Sequence, residues 1–136
     1  MNDVVAKATN IRISPRKMGV VAGLVRGRSV SDALVILEHT PRRAAQPLSK
    51  VIQSAAANAV TNAKLDKKTL QITTLQIANG TSMKRFRPAA RGRALPYKHR
   101  SSNIHVVVSG EPKPEKPKTA VKKPAKSSDK PEKKEK

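Results

Sequence analysis

The sequence predicts an α+β fold in which a small antiparallel sheet of three strands packs on three helices. Runs rich in branched residues stand near both ends of residues 1–110, and between them lie three segments whose apolar residues recur at helical spacing. After Ser109 the composition changes abruptly to Lys, Pro, Glu, Ala and Ser. Because such a segment cannot bury enough apolar surface to order itself, residues 111–136 are predicted to form a disordered tail.

The first strand and the first helix follow each other directly. Residues 4–13, VVAKATNIRI, alternate branched and polar residues as a strand with one covered face does. Ser14 and Pro15 then predict a helix start, since the hydroxyl can accept from a free amide and proline needs no amide partner there. The helix is predicted over residues 15–26, and Gly27 should end it in a left-handed conformation. Its buried stripe comprises Met18, Val21, Ala22 and Val25.

Three glycines repeat at four-residue spacing along this helix, at positions 19, 23 and 27. They leave bare backbone along one side, at a cost of about 1 kcal/mol for each interior glycine. Two interpretations remain open. The glycines permit either tight packing on another helix or close contact with a sugar-phosphate backbone.

Two more helices are predicted between residues 29 and 64. The first covers residues 29–38, with Ser29 or Ser31 as cap and with inward residues Val30, Ala33, Leu34 and Leu37. Thr40 and Pro41 repeat the cap-plus-proline signal, so the third and longest helix should begin there. Pro47 cannot donate to a carbonyl, which predicts a bend or an irregular first turn. The buried stripe of this helix is predicted to be Ala44, Leu48, Val51, Ile52, Ala55, Ala59 and Ala63.

The C-terminal half of the predicted domain is strand-like, and the position of its turn is ambiguous. Residues 69–78 form one strand, and the alternation of Ile104, Val106 and Val108 predicts another with one buried face. Asn79-Gly80 is either a type I′ hairpin turn or a bulge within one long strand. In the second case the chain turns around Pro88–Arg93, and the return strand begins at about Ala94.

Charge indicates the class of partner. The 136 residues carry a formal charge of +20, and residues 1–110 contain 19 Lys and Arg against 4 Asp and Glu. A small domain relieves such self-repulsion by binding a polyanion. No apolar run approaches a membrane span and residues 1–10 lack a signal-peptide pattern, so we expect a cytoplasmic nucleic-acid-binding protein with no membrane contact.

The composition argues against an enzyme. The chain contains no cysteine, which excludes zinc ribbons and thiol nucleophiles. His39, His99 and His105 have no helical metal-site spacing, and we expect them to contact solvent or RNA. The four acidic residues before residue 111 are scattered, so no general acid-base pair is predicted. We expect no catalytic residue, no metal and no cofactor.

The cations concentrate in the segment from Gly80 to Val108, which lies within a longer run, from Lys67 to Gly110, that contains no Asp or Glu. Arginine predominates there, and its planar guanidinium can grip phosphate in two places and stack on unpaired bases. The segment has too few apolar residues to order itself alone, because ordering costs about 1 to 2 kcal/mol per residue. Its seven cations are Lys84, Arg85, Arg87, Arg91, Arg93, Lys98 and Arg100.

Four motifs are specific enough to suggest a family: RISPRKM at 12–18, SAAANAVTN at 54–62, MKRFRPAARGRA at 83–94 and HRSSNIHVVVS at 99–109. Over nearly all of residues 5–109 the chain resembles the L-twenty-two family of bacterial large-subunit ribosomal proteins. The resemblance implies a domain on the ribosome surface near the tunnel exit. It also implies a protruding β-hairpin, at about residues 80–102, that reaches through large-subunit RNA to the wall of the nascent-peptide tunnel and turns at Pro88–Arg93.

The resemblance and the charge pattern together define the predicted sites. The tunnel tip is predicted to be Pro88, Ala89, Ala90, Arg91, Gly92 and Arg93. The predicted rRNA-binding residues are Arg12, Ser14, Pro15, Arg16, Lys17, Met83, Lys84, Arg85, Phe86, Arg87, Pro88, Arg91, Gly92, Arg93, Lys98 and Arg100. The implied partners are large-subunit rRNA, neighbouring ribosomal proteins and the nascent polypeptide, with the protein a monomer within the ribosome.

The sequence departs from the family pattern at three places. Ala89 stands where the family commonly has a basic residue, Ala78 and Asn79 stand where an acidic pair is frequent, and HRSSNI replaces KRTSHI. The first departure removes one expected tip contact. A protein that coats nucleic acid or chaperones RNA without a fixed site is the alternative of a different class. Confinement of seven cations to one acid-free segment favours a defined site.

Overall fold

The computed structural model describes residues 3–112, and the predicted tail from residue 113 onward lies outside them. Its elements are β1 (Val4–Ile11), α1 (Pro15–Val25), α2 (Val30–His39), α3 (Ala45–Thr61), β2 (Gln71–Pro88) and β3 (Ala94–Ser109). The three strands form one antiparallel sheet in the order β1-β3-β2. The predicted α+β class, with three strands and three helices, is confirmed.

The helices cover one face of the sheet. Ile104, Val106 and Val108 on β3 are at most 1% exposed, and they meet a core of small aliphatic side chains from α1, α2 and α3. Alternate residues of β1 are buried or partly buried, as its sequence predicted. A core made of Val, Ile, Leu and Ala is the expected result in a chain with one Phe and one Tyr.

The buried face of α1 agrees with the prediction at all four positions, each of which is 0% exposed. Gly27 adopts a φ of 69° and its amide donates to the Ile72 carbonyl at 3.2 Å, so this left-handed residue ends α1 against β2. Ser14 is the N-cap residue, but its hydroxyl makes no capping hydrogen bond, contrary to the prediction. Its carbonyl accepts from the Met18 amide at 3.1 Å instead.

The glycine repeat on α1 is open. A β-carbon added at Gly19, Gly23 or Gly27 would meet nothing within 4 Å. Tight packing of these glycines on another helix is therefore wrong. The alternative, contact with a sugar-phosphate backbone, stays a prediction.

The start of α3 differs from the prediction by four residues. Thr40 ends α2, because its hydroxyl donates to the Ile36 carbonyl at 2.6 Å, and α3 begins at Ala45 rather than at Pro41. Pro47 consequently lies in the first turn, where the amide has no partner within the helix, so it removes no hydrogen bond. The predicted buried stripe holds, with Leu48, Ile52 and Ala55 at 0% exposure and Ala63 partly buried.

The domain ends later than predicted. After α3, Leu65 is 1% exposed and belongs to the core. At the other end of the domain, the Asp66 amide donates to the Glu111 carbonyl at 2.9 Å, and Leu65 forms a β-bridge with Pro112. The packed part of the chain therefore extends at least to Pro112.

Candidate nucleic-acid interface

A two-stranded hairpin extends beyond the three-stranded sheet. Pairing between β1 and β3 ends at Ile11 and Ser102, whereas β2 and β3 remain paired from Ser82–Arg100 to Pro88–Ala94. From residue 81 to residue 100 every residue is exposed except Ala89, which is intermediate. We call residues 81–100 the hairpin and the remaining described residues the base. All the sequence-predicted hairpin site residues lie on this exposed ribbon.

A bulge joins the base to the hairpin. The β2-β3 register shifts between Asn79 and Ser82, and neither Asn79 nor Gly80 has a positive φ. The type I′ turn at Asn79-Gly80 is therefore wrong and the bulge is confirmed. A β-carbon at Gly80 would lie 2.6 Å from Ser101 Oγ and 3.1 Å from the Ser101 carbonyl carbon, so only glycine fits without displacement.

Polar side chains hold this bulge against β1. The Thr81 hydroxyl donates to Asn10 Oδ1 at 2.7 Å, and the Asn10 amide donates to Asn103 Oδ1 at 2.9 Å. The Ser101 hydroxyl donates to the Thr81 carbonyl. Asn10 itself adopts a φ of 59°, a conformation that asparagine tolerates better than most residues. The network fixes the direction in which the hairpin leaves the base.

The tip is a single 3₁₀ turn over Ala90–Gly92. The chain reverses there because Arg91 and Gly92 have φ values of 58° and 69°, and the Ala89 amide donates to the Arg93 carbonyl at 2.8 Å. Glycine tolerates this conformation, whereas arginine does so at a cost of about 1 kcal/mol or more. The turn presents Arg91 and Arg93 to solvent beside the small side chains of Ala89 and Ala90.

Strand alternation divides the hairpin side chains between two faces, because residues directly opposite in an antiparallel pair project to the same side. We call one the arginine face and the other the lysine face. The arginine face comprises Met83, Arg85, Arg87, Leu95, Tyr97 and His99, and the lysine face comprises Ser82, Lys84, Phe86, Pro88, Ala94, Pro96, Lys98 and Arg100.

The arginine face has side-chain contacts suited to unpaired bases. Arg87 Cζ lies 5.9 Å from the centre of the Tyr97 ring, and Tyr97 meets His99 edge to face with ring centres 5.1 Å apart. Arg85 Nη1 donates to the Lys84 carbonyl at 2.9 Å. Flat aromatic and guanidinium groups stack on bases, and arginine also binds phosphate. Tyr97 was absent from the predicted site, because its pairing with the arginines depends on where the chain turns.

The lysine face carries no acidic side chain that could neutralise its positive charge. Lys84 stands directly opposite Lys98, an arrangement of like charges that destabilises an antiparallel pair. Next to it, Phe86 is 69% exposed and faces Pro96. With no acidic residue from 67 to 110, the charge on this face needs an external anion.

The structure brings together only some of the residues that were predicted to form a site at the start of α1. Arg12, Ser14 and Lys17 line one cleft, whereas Arg16 is exposed but outside that lining. Arg42 and Arg43, which the sequence analysis did not select, line the same cleft. An adjacent basic pair was visible in the sequence, but nothing local indicated that the turn before α3 lies beside the end of β1.

A comparison with protein families identifies the family to which this chain belongs. The family model described as Ribosomal protein L22p/L17e matches residues 6–109. The chain belongs to this family. Its members are structural proteins of the large ribosomal subunit, not a family of enzymes. In this L22p/L17e chain the match begins in β1 and ends at Ser109, the last residue of β3, so it includes the whole hairpin.

Residues 3–112 contain no group of three or more His, Asp or Glu side chains able to hold a metal ion. None of the helices formed by these residues is both long and apolar enough to cross a membrane. His105 is partly exposed, although its Nδ1 is buried without a hydrogen-bond partner, so the expectation that His105 contacts solvent or RNA stays a prediction.

Proposed function

We propose that this protein binds large-subunit rRNA through its hairpin, supports assembly of the subunit and lines the nascent-polypeptide tunnel with its tip, Pro88–Arg93. One observation carries the proposal. Seven cations, without one acidic neighbour in the segment, stand on a two-stranded ribbon that is exposed on both faces. Such a ribbon has no layer of its own to pack against, and a polyanion that surrounds it would supply one.

The energetics favour an enclosing partner over contact on one side. Two-stranded hairpins are marginal in water, and the like-charge pair Lys84–Lys98 weakens this one further. RNA on the arginine face would engage Arg85, Arg87 and Tyr97 by stacking and by phosphate contacts. RNA on the lysine face would neutralise the two lysines. Folded rRNA can offer both surfaces at once.

The tip is suited to a passage that must stay open. Ala89 and Ala90 have only methyl side chains and add little bulk to the turn, while Arg91 and Arg93 can bind the RNA of the tunnel wall. The departure at Ala89 gives this chain one charge fewer at the tip than is common in the family. The further partners that we propose are neighbouring ribosomal proteins and the nascent polypeptide, in a cytoplasmic ribosome within which this protein is a monomer.

Reconstitution tests the proposal. A full-length variant with Arg85, Arg87, Arg91 and Arg93 replaced by Gln is compared with the wild-type protein. We expect the variant to bind large-subunit rRNA with a shallower salt dependence, because each phosphate contact contributes about 0.7 to 0.9 to the slope of log K against log salt. We also expect it to be lost from large subunits after a high-salt wash. Unchanged slope and unchanged retention would contradict the proposal.

The same experiment separates this function from non-specific coating of nucleic acid. Competition with an unrelated RNA of equal length gives the specificity ratio. A defined hairpin site requires that excess competitor leave most of the rRNA complex intact. Equal displacement by both RNAs would support the coating alternative.

A further inference from the structure

We propose that a groove between α2 and α3 docks an extended segment of a neighbouring protein of the large subunit. The groove is lined by the C-terminal half of α2, the first half of α3 and the connection between them. Its volume is about 510 Å³. We call it the helical groove.

The floor of the helical groove is apolar. Leu37 and Ala45 belong to its lining and are buried, and Leu34 beside them is partly buried. An apolar side chain of a partner could lose its contact with water by packing on this floor. A phosphate group would gain nothing there, because a charged group loses its hydration against an apolar surface without a compensating contact.

One stripe of α3 forms a polar wall of the groove. It consists of Gln46, Ser49, Lys50 and Gln53, whose three- and four-residue spacing places them on one side of the helix. From Gln46 to Gln53 the wall is about 10 Å long, at about 1.5 Å per residue of helix. An extended peptide covers that length with about three residues. The amide side chains of the wall can donate to and accept from a peptide backbone.

Both signs of charge stand on the rim of the groove. Glu38 is exposed on α2, while Arg42 and Lys50 are exposed on the connection and on α3. A carboxylate on the rim repels phosphate but attracts a basic residue of a protein. The lining therefore differs from that of the cleft at the start of α1, which Arg42 also borders and which contains no acidic residue.

Together these features define the chemistry of the occupant. We expect an extended protein segment with an apolar side chain for the floor, a basic one toward Glu38 and an acidic one toward Arg42 and Lys50. The tail of this chain fits less well, because residues 113–136 contain ten Lys against four Asp and Glu and would be repelled by the two cations. That the partner is a ribosomal protein rests on the proposed function, whereas the groove and its lining do not.

Photo-crosslinking in assembled large subunits tests the inference. The full-length protein with Gln46→p-benzoylphenylalanine is assembled into subunits, and the exposure of Gln46 should allow this change without loss of the fold. If that variant is not incorporated, Gln53→p-benzoylphenylalanine probes the same wall from another exposed position. The control is Phe86→p-benzoylphenylalanine in the hairpin, which we expect to crosslink to rRNA.

We expect the Gln46 variant to crosslink to one large-subunit protein, at a segment in which an apolar residue lies between a basic and an acidic one. Mass spectrometry of the crosslinked peptide identifies that segment. Glu38→Lys in the same protein should lower the crosslink yield roughly threefold to tenfold, because an attractive contact becomes a repulsive one. Asp3→Lys makes the same change of charge at an exposed position outside the groove and should leave the yield unchanged.

Several results would overturn the inference: a crosslink to rRNA, a crosslink to residues 113–136, no crosslink in subunits that contain the protein, or equal yields for Glu38→Lys and Asp3→Lys. If one of these is found while the Phe86 variant crosslinks to rRNA, the proposed function stands and only this inference fails. If the Phe86 variant does not crosslink to rRNA, the proposed function fails, whatever the Gln46 variant contacts.

Discussion

The base and the hairpin share two strands, yet β2 and β3 are buried on one face at one end and exposed on both faces at the other. In the base, Ile72, Leu75, Ile104 and Val106 lie under three helices. In the hairpin, the largest apolar side chain, Phe86, is 69% exposed. Burial of apolar surface can hold the base together, whereas the hairpin has no comparable source of stability.

This difference has a consequence for function. A segment that supplies its own core needs no partner to keep its shape, but it also has little surface free for one. The hairpin has the opposite properties, with its cations unneutralised and both faces available. Order in the hairpin should therefore depend on the subunit, and order in the base should not.

Amide exchange gives the largest expected contrast. In the isolated protein, Met83–Lys98 should exchange fast, while Ile104–Val108 and α3 should be protected by up to the full unfolding free energy, about 5 to 15 kcal/mol. In the assembled subunit both regions should be protected. Equal protection of the two regions in the isolated protein would mean that the hairpin supports itself.

Side-chain truncation should affect the two regions differently. Ile52→Ala opens a cavity at a 0% exposed position of α3 and should cost about 2 to 5 kcal/mol of unfolding free energy in urea. Phe86→Ala should change that free energy by less than about 0.5 kcal/mol. If Ile52→Ala does not fold, Ile52→Val should still cost about 0.5 to 1.5 kcal/mol. A large loss for Phe86→Ala would show that the hairpin has a core after all.

The bulge at the junction can be tested with a matched pair of glycines. Gly80→Ala places a methyl group 2.6 Å from Ser101 Oγ and should destabilise the protein by about 1 to 3 kcal/mol. Gly23→Ala, in open space within α1, should stabilise it by about 0.5 to 1 kcal/mol. Chemical denaturation measures both. Changes of the same sign would contradict the close approach at the bulge.

The smallest effect is expected beyond the base. Removal of residues 113–136 should leave incorporation into large subunits nearly intact, because these residues follow Glu111 and Pro112, which make the last contacts among the described residues. Sedimentation of truncated and full-length protein with large subunits measures this. Exclusion of the truncated protein would assign the tail a role in assembly. A cut after residue 110 should cost more, since it also removes the pairing with Asp66.

Much of the base was predictable from local sequence. Caps, prolines and helical spacing located α1 and α2 within one or two residues, and the alternation of Ile104, Val106 and Val108 identified the buried face of β3. The start of α3 was not, because Thr40-Pro41 is an equally good end for α2. Only the hydrogen bond from Thr40 to Ile36 distinguishes the two roles.

The position of the hairpin turn likewise could not be predicted from local sequence. Asn79-Gly80 satisfies the rule for a tight turn, and local residues did not distinguish this turn from a bulge. The structure selects the bulge because β1 pairs alongside β3 as far as Ser102, and Thr81 and Asn103 bond to Asn10 across the junction. These contacts join residues more than seventy positions apart in the chain.

The sequence by itself determined the charge of the interface, the apolar stripes of the helices and the absence of acidic residues from the hairpin. These are properties of composition and short spacing, so no folding was needed to see them. The tertiary structure alone decided which side chains share a surface: Arg87 with Tyr97 on one hairpin face, and Arg12 and Lys17 with Arg42 and Arg43 in one cleft of the base. Such groupings depend on strand register and on packing between distant segments, which local sequence does not encode.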